Sequence, residues 1–379
     1  MDIYQLGNMK DKKAALQKLG VESEGVEIMS KKMELLFFFL KDLKTPAVNI
    51  LKQDALSVGA ELAVPGGAIL CEKPFYDCIL IGTKKHIEIL SHKELRQPFG
   101  LKSVAKELKK FLSSKTYPVQ IMGIVNLNED SFFEGSRFVA QEALLECKKM
   151  ISQGAQMIDV GPVSSRPGSL EVSEEEELRR VKPFCDALKQ EELYKKAVFS
   201  IDSYTPSVVE YALQSGFSFI NDITGAADEA LIRLALKYNA KLCIMHMQGA
   251  PKTMQKNPYY EDVTAEVSDF FEERIAKCEA LGLTREHLIL DVGIGFGKSL
   301  EHNLVLLKNL AHFKKFGCEL LIGASRKSMI DHIIPAPIKE RLPGTLAIHL
   351  KAMENGASII RCHDVPEHQQ ALKVFEAMR

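Results

Sequence analysis

The sequence predicts an α/β fold in which a closed (β/α)8 barrel over residues 118–379 follows a small α+β domain over residues 1–117. Three observations support this. From about Pro118 a short β-branched apolar run, a polar loop and an amphipathic helical stretch recur in turn, which is the pattern of βα units. Eight such runs occur, and eight parallel strands with both faces covered, in about 260 residues, suit a closed barrel better than the alternative of an open doubly wound sheet. The residues before Pro118 do not share the alternation.

The expected strands are 119–125, 157–160, 198–201, 217–220, 241–245, 288–292, 319–323 and 358–361. Helical patterns fill the intervals at 140–153, 174–189, 206–214, 229–238, 263–281 and 303–313, with two more at 343–354 and 368–379. The run Glu174 to Glu177 follows Ser173, an N-cap with acids at a helix start, which is a structural signal. The N-terminal part shows a helical start, mixed apolar segments at 47–64, strand-like runs at 78–82 and 86–90, and a helix at 102–112. A polar junction at 113–117 precedes Pro118.

With 379 residues, 46% of them hydrophobic, neither part lacks material for a core. Lys and Arg number 49 against 50 Asp and Glu, so no global basic field recruits nucleic acid or an acidic membrane, and an anionic ligand must be held by a local cluster. The eight cysteines, at 71, 78, 147, 185, 243, 278, 318 and 362, form no C-x-x-C pair and are expected to be reduced core thiols of a cytoplasmic protein. The longest apolar run, 35–40, is too short to cross a bilayer, so secretion and membrane insertion are not expected.

In a barrel, chemistry gathers just past the carboxyl ends of the strands. After the first strand comes Asn126, followed by a loop with Asp130 and Phe132; after the second come Ser165, Arg166 and Pro167. The next two end in Asp202 and in Asn221-Asp222, and the fifth in Met245-His246. The sixth carries Asp291, the seventh leads to Ser325-Arg326-Lys327-Ser328, and the eighth carries Arg361 and His363. One Asp or Asn after a strand is more often a turn or cap residue. Eight polar positions in a row, rich in Asn, Asp, Arg and His rather than flexible Lys and Glu, point to a directional site.

Arg361 and His363 are two apart in a strand-like segment and share one face, where a guanidinium fork and an imidazole suit pyrophosphate oxygens. The bland explanation is an Arg361–Asp364 ion pair. Asp291 follows the apolar run Leu288-Ile289-Leu290, so its carboxylate is expected to be partly buried and in need of a partner. The N–H edge of a planar amino-pyrimidine would satisfy it, with Lys327 donating to a ring carbonyl; such contacts are worth roughly 1.5–3 kcal/mol each. The segment Gly293 to Ser299 ends like a phosphate-binding P-loop, but Val292 occupies the place of its first glycine, which excludes a nucleotide triphosphatase. No H-E-x-x-H occurs, and no zinc site is expected.

Taken in order, these motifs resemble the dihydropteroate synthases from about residue 119 to the C-terminus. The resemblance is carried by Ile121 to Asn126 with Asp130-Ser131-Phe132, Ile158-Asp159-Val160-Gly161 with Ser165 to Gly168, and Ser200-Ile201-Asp202. Ile220-Asn221-Asp222, Met245 to Gly249, Asp291 with Gly293 to Lys298, Ser325 to Ser328 and Arg361 to Val365 complete it. The chain departs from the family's pattern at Asn128-Glu129, at Val163-Ser164-Ser165 and at Val292. No pterin or pyrophosphate group is lost by these changes.

The resemblance implies that 4-aminobenzoate displaces pyrophosphate from 6-hydroxymethyl-7,8-dihydropterin pyrophosphate, giving 7,8-dihydropteroate for folate biosynthesis. It implies that Asp202, Asn221, Asp291 and Lys327 hold the pterin, with Met245 and Arg361 against its faces. Asn126, Arg166, Arg361 and His363 would surround the pyrophosphate, with Mg²⁺ near Asn126. The aminobenzoate would lie against Ser165, Arg166, Pro167, Phe296, Lys327 and Ser328, under a mobile loop bearing Asp130 and Phe132. A homodimer and sensitivity to sulfonamides are also implied. The alternatives are a pterin-dependent corrinoid methyltransferase, which has no need of the pyrophosphate cluster, and a non-catalytic pterin-binding protein, against which Asn126 and Lys327 argue. The N-terminal domain lies outside the resemblance.

Overall fold

The structure, a computed structural model, describes residue 3 and residues 11–127, 136–163, 172–249 and 253–378. The chain divides into two compact units that meet between Ser114 and Lys115.

The first unit is a three-stranded antiparallel sheet, in the order β1-β3-β2, with helices on one face: β1 is Leu35–Lys44, β2 Glu61–Ala63 and β3 Phe75–Thr83. Alternation along β3 sends Tyr76, Cys78 and Leu80 into the core, where they meet Leu51 of the helix Thr45–Val58, Ile87 and Leu90 of the helix Lys84–Lys93, and Leu101 and Leu108 of the helix Leu101–Leu112. Phe37, Phe39 and Ile79 are exposed on the opposite face. Two expectations are corrected here. The segment 86–90, read as a strand from its alternating His-Ile-Glu-Ile, is helical, and its buried residues Ile87, Leu90 and Ser91 follow the helical spacing. The run 35–40, noted only as too short for a membrane span, is the first part of β1.

The second unit is a closed eight-stranded parallel TIM barrel with helices around it. Its strands are β4 Gln120–Asn126, β5 Met157–Gly161, β6 Val198–Asp202, β7 Phe219–Asp222, β8 Lys241–Met245, β9 Leu288–Asp291, β10 Glu319–Ile322 and β11 Ile359–Cys362. Closure is made by β11 pairing with β4, Ile360 opposite Ile121, which excludes an open sheet. Ser173 caps the helix Glu174–Gln190, its Oγ accepting from the Glu176 N–H at 3.3 Å.

Strand ends differ from the expectation where it matters for the site. β7 begins and ends two residues later than expected, so Asn221 and Asp222 belong to the strand and not to the loop after it. Seven of the eight cysteines are buried, but Cys71 is exposed, so not every thiol lies in a core; none is in a disulfide. No helix among the described residues is long and apolar enough to cross a membrane.

Candidate active site

Side chains two apart on a strand share a face, so each barrel strand builds the interior in steps of two. One residue from every strand enters an apolar plug: Met122, Met157, Val198, Phe219, Cys243, Ile289, Leu321 and Ile359. Two positions further toward the carboxyl ends the same faces carry Ile124, Asp159, Ser200, Asn221, Met245, Asp291, Gly323 and Arg361. The interior thus changes within one step from a greasy floor to a charged layer. Gly323 faces Arg361, and a Cβ there would stand in ordinary van der Waals contact with the arginine's Cβ, at 3.6 Å.

Arg361 organises that layer. Its Nε donates to Asp159 Oδ2 at 2.6 Å, and an Nη donates to Asp202 Oδ2 at 2.9 Å. Asn221 Nδ2 donates to the same Asp159 oxygen at 3.1 Å. Burial opposes the Arg361 charge, but Asp159 and Asp202 outweigh it and push its pKa above the ordinary value. Burial, then the neighbouring Asp159, raises the Asp202 carboxyl to about 7. Asp159 is fully buried, yet its Oδ1 has no hydrogen-bond partner, and neither has the adjacent Ser200 Oγ. A buried carboxylate oxygen and a buried hydroxyl thus keep unused hydrogen-bonding capacity within the charged layer.

Across the mouth, Asp291 is 7% exposed and accepts from the Gly293 N–H at 2.8 Å. Burial raises its pKa, with Lys327 opposing. Lys327 Nζ donates to the Ile294 carbonyl and stands 4.6 Å from the centre of the Phe296 ring. Burial lowers it to about 8. Ser328 opens the helix Ser328–Ile333 and is exposed, and Met245 closes β8 with its side chain buried. His363 Nδ1 lies 2.9 Å from Ser325 Oγ. Asp364 is engaged by Arg326, whose Nε donates to it at 3.0 Å, so the expected alternative pairing of Arg361 with Asp364 is replaced.

The structure therefore brings Asp202, Asn221, Asp291, Lys327 and Arg361 to one end of the barrel, the ends of β6, β7, β9, β10 and β11. Asn126 ends β4 at the same mouth and is exposed, beside Gly161, where a Cβ would come within 3.3 Å of its Oδ1. Asp130, Phe132, Ser165, Arg166 and Pro167 lie outside the described residues.

Asp159, Ser200 and Lys298 enter the sequence reading only as motif residues, with no role in the site. The first two carry the same signal that revealed Asp291, a polar residue inside an otherwise apolar strand. Lys298 belongs to the segment that ends like a P-loop and to the motif that follows Asp291. It is 3% exposed, and its Nζ donates to His246 Nδ1 at 2.9 Å and to the carbonyls of Phe296 and His246 at 3.0 and 3.3 Å. Burial brings Lys298 to about 7 and, together with Lys298, His246 to about 3. This pair joins the loops after β8 and β9. They approach so closely that Gly293, at φ +69°, could not bear a Cβ, which would fall 1.9 Å from the His246 carbonyl oxygen.

Among the described residues no group of three His, Cys, Asp or Glu side chains could hold a metal ion. Asn126 instead offers one neutral amide oxygen at the mouth. That suits Mg²⁺, a hard cation that keeps several waters and is bound chiefly through substrate phosphates.

Known proteins resemble this chain over the barrel and, in one case, over nearly its whole length. The pterin binding enzyme family matches residues 122–363. A bifunctional dihydropteroate synthase/dihydropteroate reductase of Helicobacter pylori is 42% identical over 367 residues, 97% of this chain and 96% of that protein. A dihydropteroate synthase of Escherichia coli is 45% identical over 258 residues, 68% of this chain and 90% of that protein. A crystal structure of Yersinia pestis dihydropteroate synthase with a sulfonamide drug superposes with a TM-score of 0.64 at 40% identity, covering 69% of this chain and 94% of that one. The chain belongs to the pterin binding enzyme family, among its dihydropteroate synthases.

Proposed function

We propose that the barrel makes 7,8-dihydropteroate with the pterin seated in the charged interior layer and the pyrophosphate beyond it toward Asn126 and His363. The single observation that carries this is the unsatisfied Asp159 Oδ1 and Ser200 Oγ beside Asn221, within a layer that also holds Asp291 and Arg361. A flat amino-pyrimidine supplies the N–H donors these acceptors lack. Met245 below and Arg361 beside the ring give it faces, and Lys327 supplies a donor for its carbonyl.

The chemistry follows from that seat. The bond from the pterin methylene to the pyrophosphate oxygen breaks, and the electron-rich dihydropterin supports the positive charge left on carbon. Carboxylates close to the ring favour that charge, while Arg361, Arg166 and His363 favour the growing charge on the leaving group. Mg²⁺ carried by the pyrophosphate and held at Asn126 would neutralise phosphate oxygens. The neutral amine of 4-aminobenzoate, placed by Ser165, Arg166, Pro167, Phe296, Lys327 and Ser328, attacks the carbon and then loses a proton; positioning is most of what it needs. No covalent enzyme intermediate is required. Formation of dihydropteroate that depends on both substrates and on Mg²⁺ tests this, and failure of the two substrates to give dihydropteroate would contradict it. The homodimer and the cytoplasmic location belong to the same proposal; sedimentation and cell fractionation test them.

A second activity is favoured by one comparison. The Escherichia coli relative, named a synthase, matches 68% of the chain, whereas the Helicobacter pylori relative, named a synthase and reductase, matches 97%. The difference is close to the length of the N-terminal unit, 1–114. We infer that this unit supports reduction of 7,8-dihydropteroate to the tetrahydro form, in which hydride and a proton add across the C=N bond. Oxidation of reduced nicotinamide or reduced flavin that requires dihydropteroate, in the full chain and not in the barrel alone, is the expected result.

A further inference from the structure

Two histidines behind the Lys327 loop are used by nothing described above. His349 lies on the helix Leu342–Glu354 and His368 on the helix Val365–Met378, both buried. The Ala324 backbone N lies 3.0 Å from His349 Nε2, His349 Nδ1 lies 2.8 Å from His368 Nε2, and His368 Nδ1 lies 2.6 Å from the Asp364 carbonyl oxygen. The ends of this chain fix its protons. An amide N–H can only donate, so His349 Nε2 presents a lone pair; a carbonyl can only accept, so His368 Nδ1 carries a proton. A neutral His349 then holds its proton on Nδ1 and donates it to a bare His368 Nε2. All four ring nitrogens are satisfied in one direction without charge, and one added proton would break a bond. Burial, joined at His349 by the neighbouring His368, Lys327 and His363, keeps both imidazoles below their ordinary pKa.

Both ends of the chain reach the site. Ala324 precedes Ser325, whose hydroxyl lies 2.9 Å from His363 Nδ1, and Asp364 follows His363. The helix that bears His349 also bonds this loop one and two turns earlier. Thr345 Oγ1 accepts from the Arg326 N–H at 2.9 Å, and Arg341 Nη1 donates to the Arg326 carbonyl at 3.2 Å. A spacing of four puts Arg341, Thr345 and His349 on one face.

We propose that His349 and His368 are positioning residues for the pyrophosphate half of the site, a neutral two-imidazole bridge that fixes the loop after β10 against His363. This rests on the placement of pyrophosphate at Arg361 and His363 given above.

The test uses the full chain. In His349→Gln the amide oxygen can accept from Ala324 and the amide NH₂ can donate to His368, whereas His349→Leu keeps the bulk and does neither. Inhibition by inorganic pyrophosphate and kcat/KM for the pterin pyrophosphate are measured for both, and for His368→Leu and the double leucine variant. His349→Leu is expected to lose roughly tenfold in each, the glutamine variant to stay within about threefold of the parent, and the double variant to be no worse than either single one, because one broken chain cannot be broken again. Equal impairment of the glutamine and leucine variants, multiplying losses in the double variant, or an unchanged pyrophosphate affinity in His349→Leu would overturn the proposal. Nitrogen-15 spectra of the parent protein give a readout even where a leucine variant fails to fold: both rings are expected as the Nδ1–H tautomer, and an Nε2–H His349 would refute the bridge. Unchanged pyrophosphate affinity in Arg361→Ala would overturn the placement of pyrophosphate itself, a failure distinct from that of the tautomers.

Discussion

At the scale of single residues the site is a problem of buried charge. Asp291 is a buried carboxylate with one backbone donor, and in the proposed complex the pterin's N–H groups complete its hydrogen bonding. Asp291→Asn replaces an acceptor by a group that presents a donor to the same ring, and is expected to weaken pterin binding at least about tenfold; calorimetry with 6-hydroxymethylpterin measures it. Arg361→Ala leaves Asp159 and Asp202 buried without their cation, a change that commonly costs about 3–5 kcal/mol, so turnover is expected to vanish and the thermal midpoint to fall together. Lys327, lowered to about 8 by burial, is a cation below that pH and neutral above it. The kcat/KM for the pterin substrate is therefore expected to decline as pH rises through about 8, and a profile flat to pH 9.5 would remove Lys327 from substrate binding. Much of this was legible: Asp291 and Arg361 stand out because charge follows an apolar run. Their partners were not, since Arg361 and Asp159 are 202 positions apart and only closure of the barrel brings them together.

At the scale of elements the period of two decides which residues share the mouth. The sequence placed Asp202 and Asn221 just after their strands, whereas they share with Asp291 and Arg361, both expected within strands, the last inward positions of the strands themselves. Side chains fixed to a strand are held more rigidly than side chains on a loop, which suits a planar substrate. Segment 86–90 was not legible as a helix for a physical reason: four residues of alternation also fit one helical turn, and only the contact of Ile87 and Leu90 with one core separates the two. Between elements, Gly293 is the point where the loops after β8 and β9 touch. Gly293→Ala requires a left-handed φ and a Cβ inside the contact distance of the His246 carbonyl, so activity and stability are expected to fall together, by about 1–3 kcal/mol in stability on denaturant titration.

At the scale of the whole molecule the two units pose separate questions. In the N-terminal unit Glu94 is buried, its carboxyl oxygens have no hydrogen-bond donor, and burial followed by Asp54 raises its pKa from 4.5 to about 7. Between those values the folded unit binds a proton that the unfolded chain does not, so its stability falls as pH rises from 4.5 to about 7 and then levels. Glu94→Gln is expected to raise the unfolding midpoint at pH 8 and to change it little at pH 4, by roughly 4–8 °C for each kcal/mol recovered. Deleting residues 1–114 is expected to spare the synthase reaction. The barrel architecture was readable from eight recurrent units, but the use of the first domain was not, because an antiparallel sheet with helices on one face carries no motif tied to a chemistry.

Catalysis in this barrel requires a pterin lying in the charged layer directly above the apolar plug, and a crystal structure with 6-hydroxymethyl-7,8-dihydropterin and pyrophosphate bound tests that placement most directly. The expected result is an amino-pyrimidine edge hydrogen-bonded to Asn221 and Asp291, with donors meeting the Asp159 carboxylate, and pyrophosphate on the Arg361 and His363 side of the mouth. A pterin bound outside the barrel interior, or pyrophosphate away from Arg361 and His363, would contradict it.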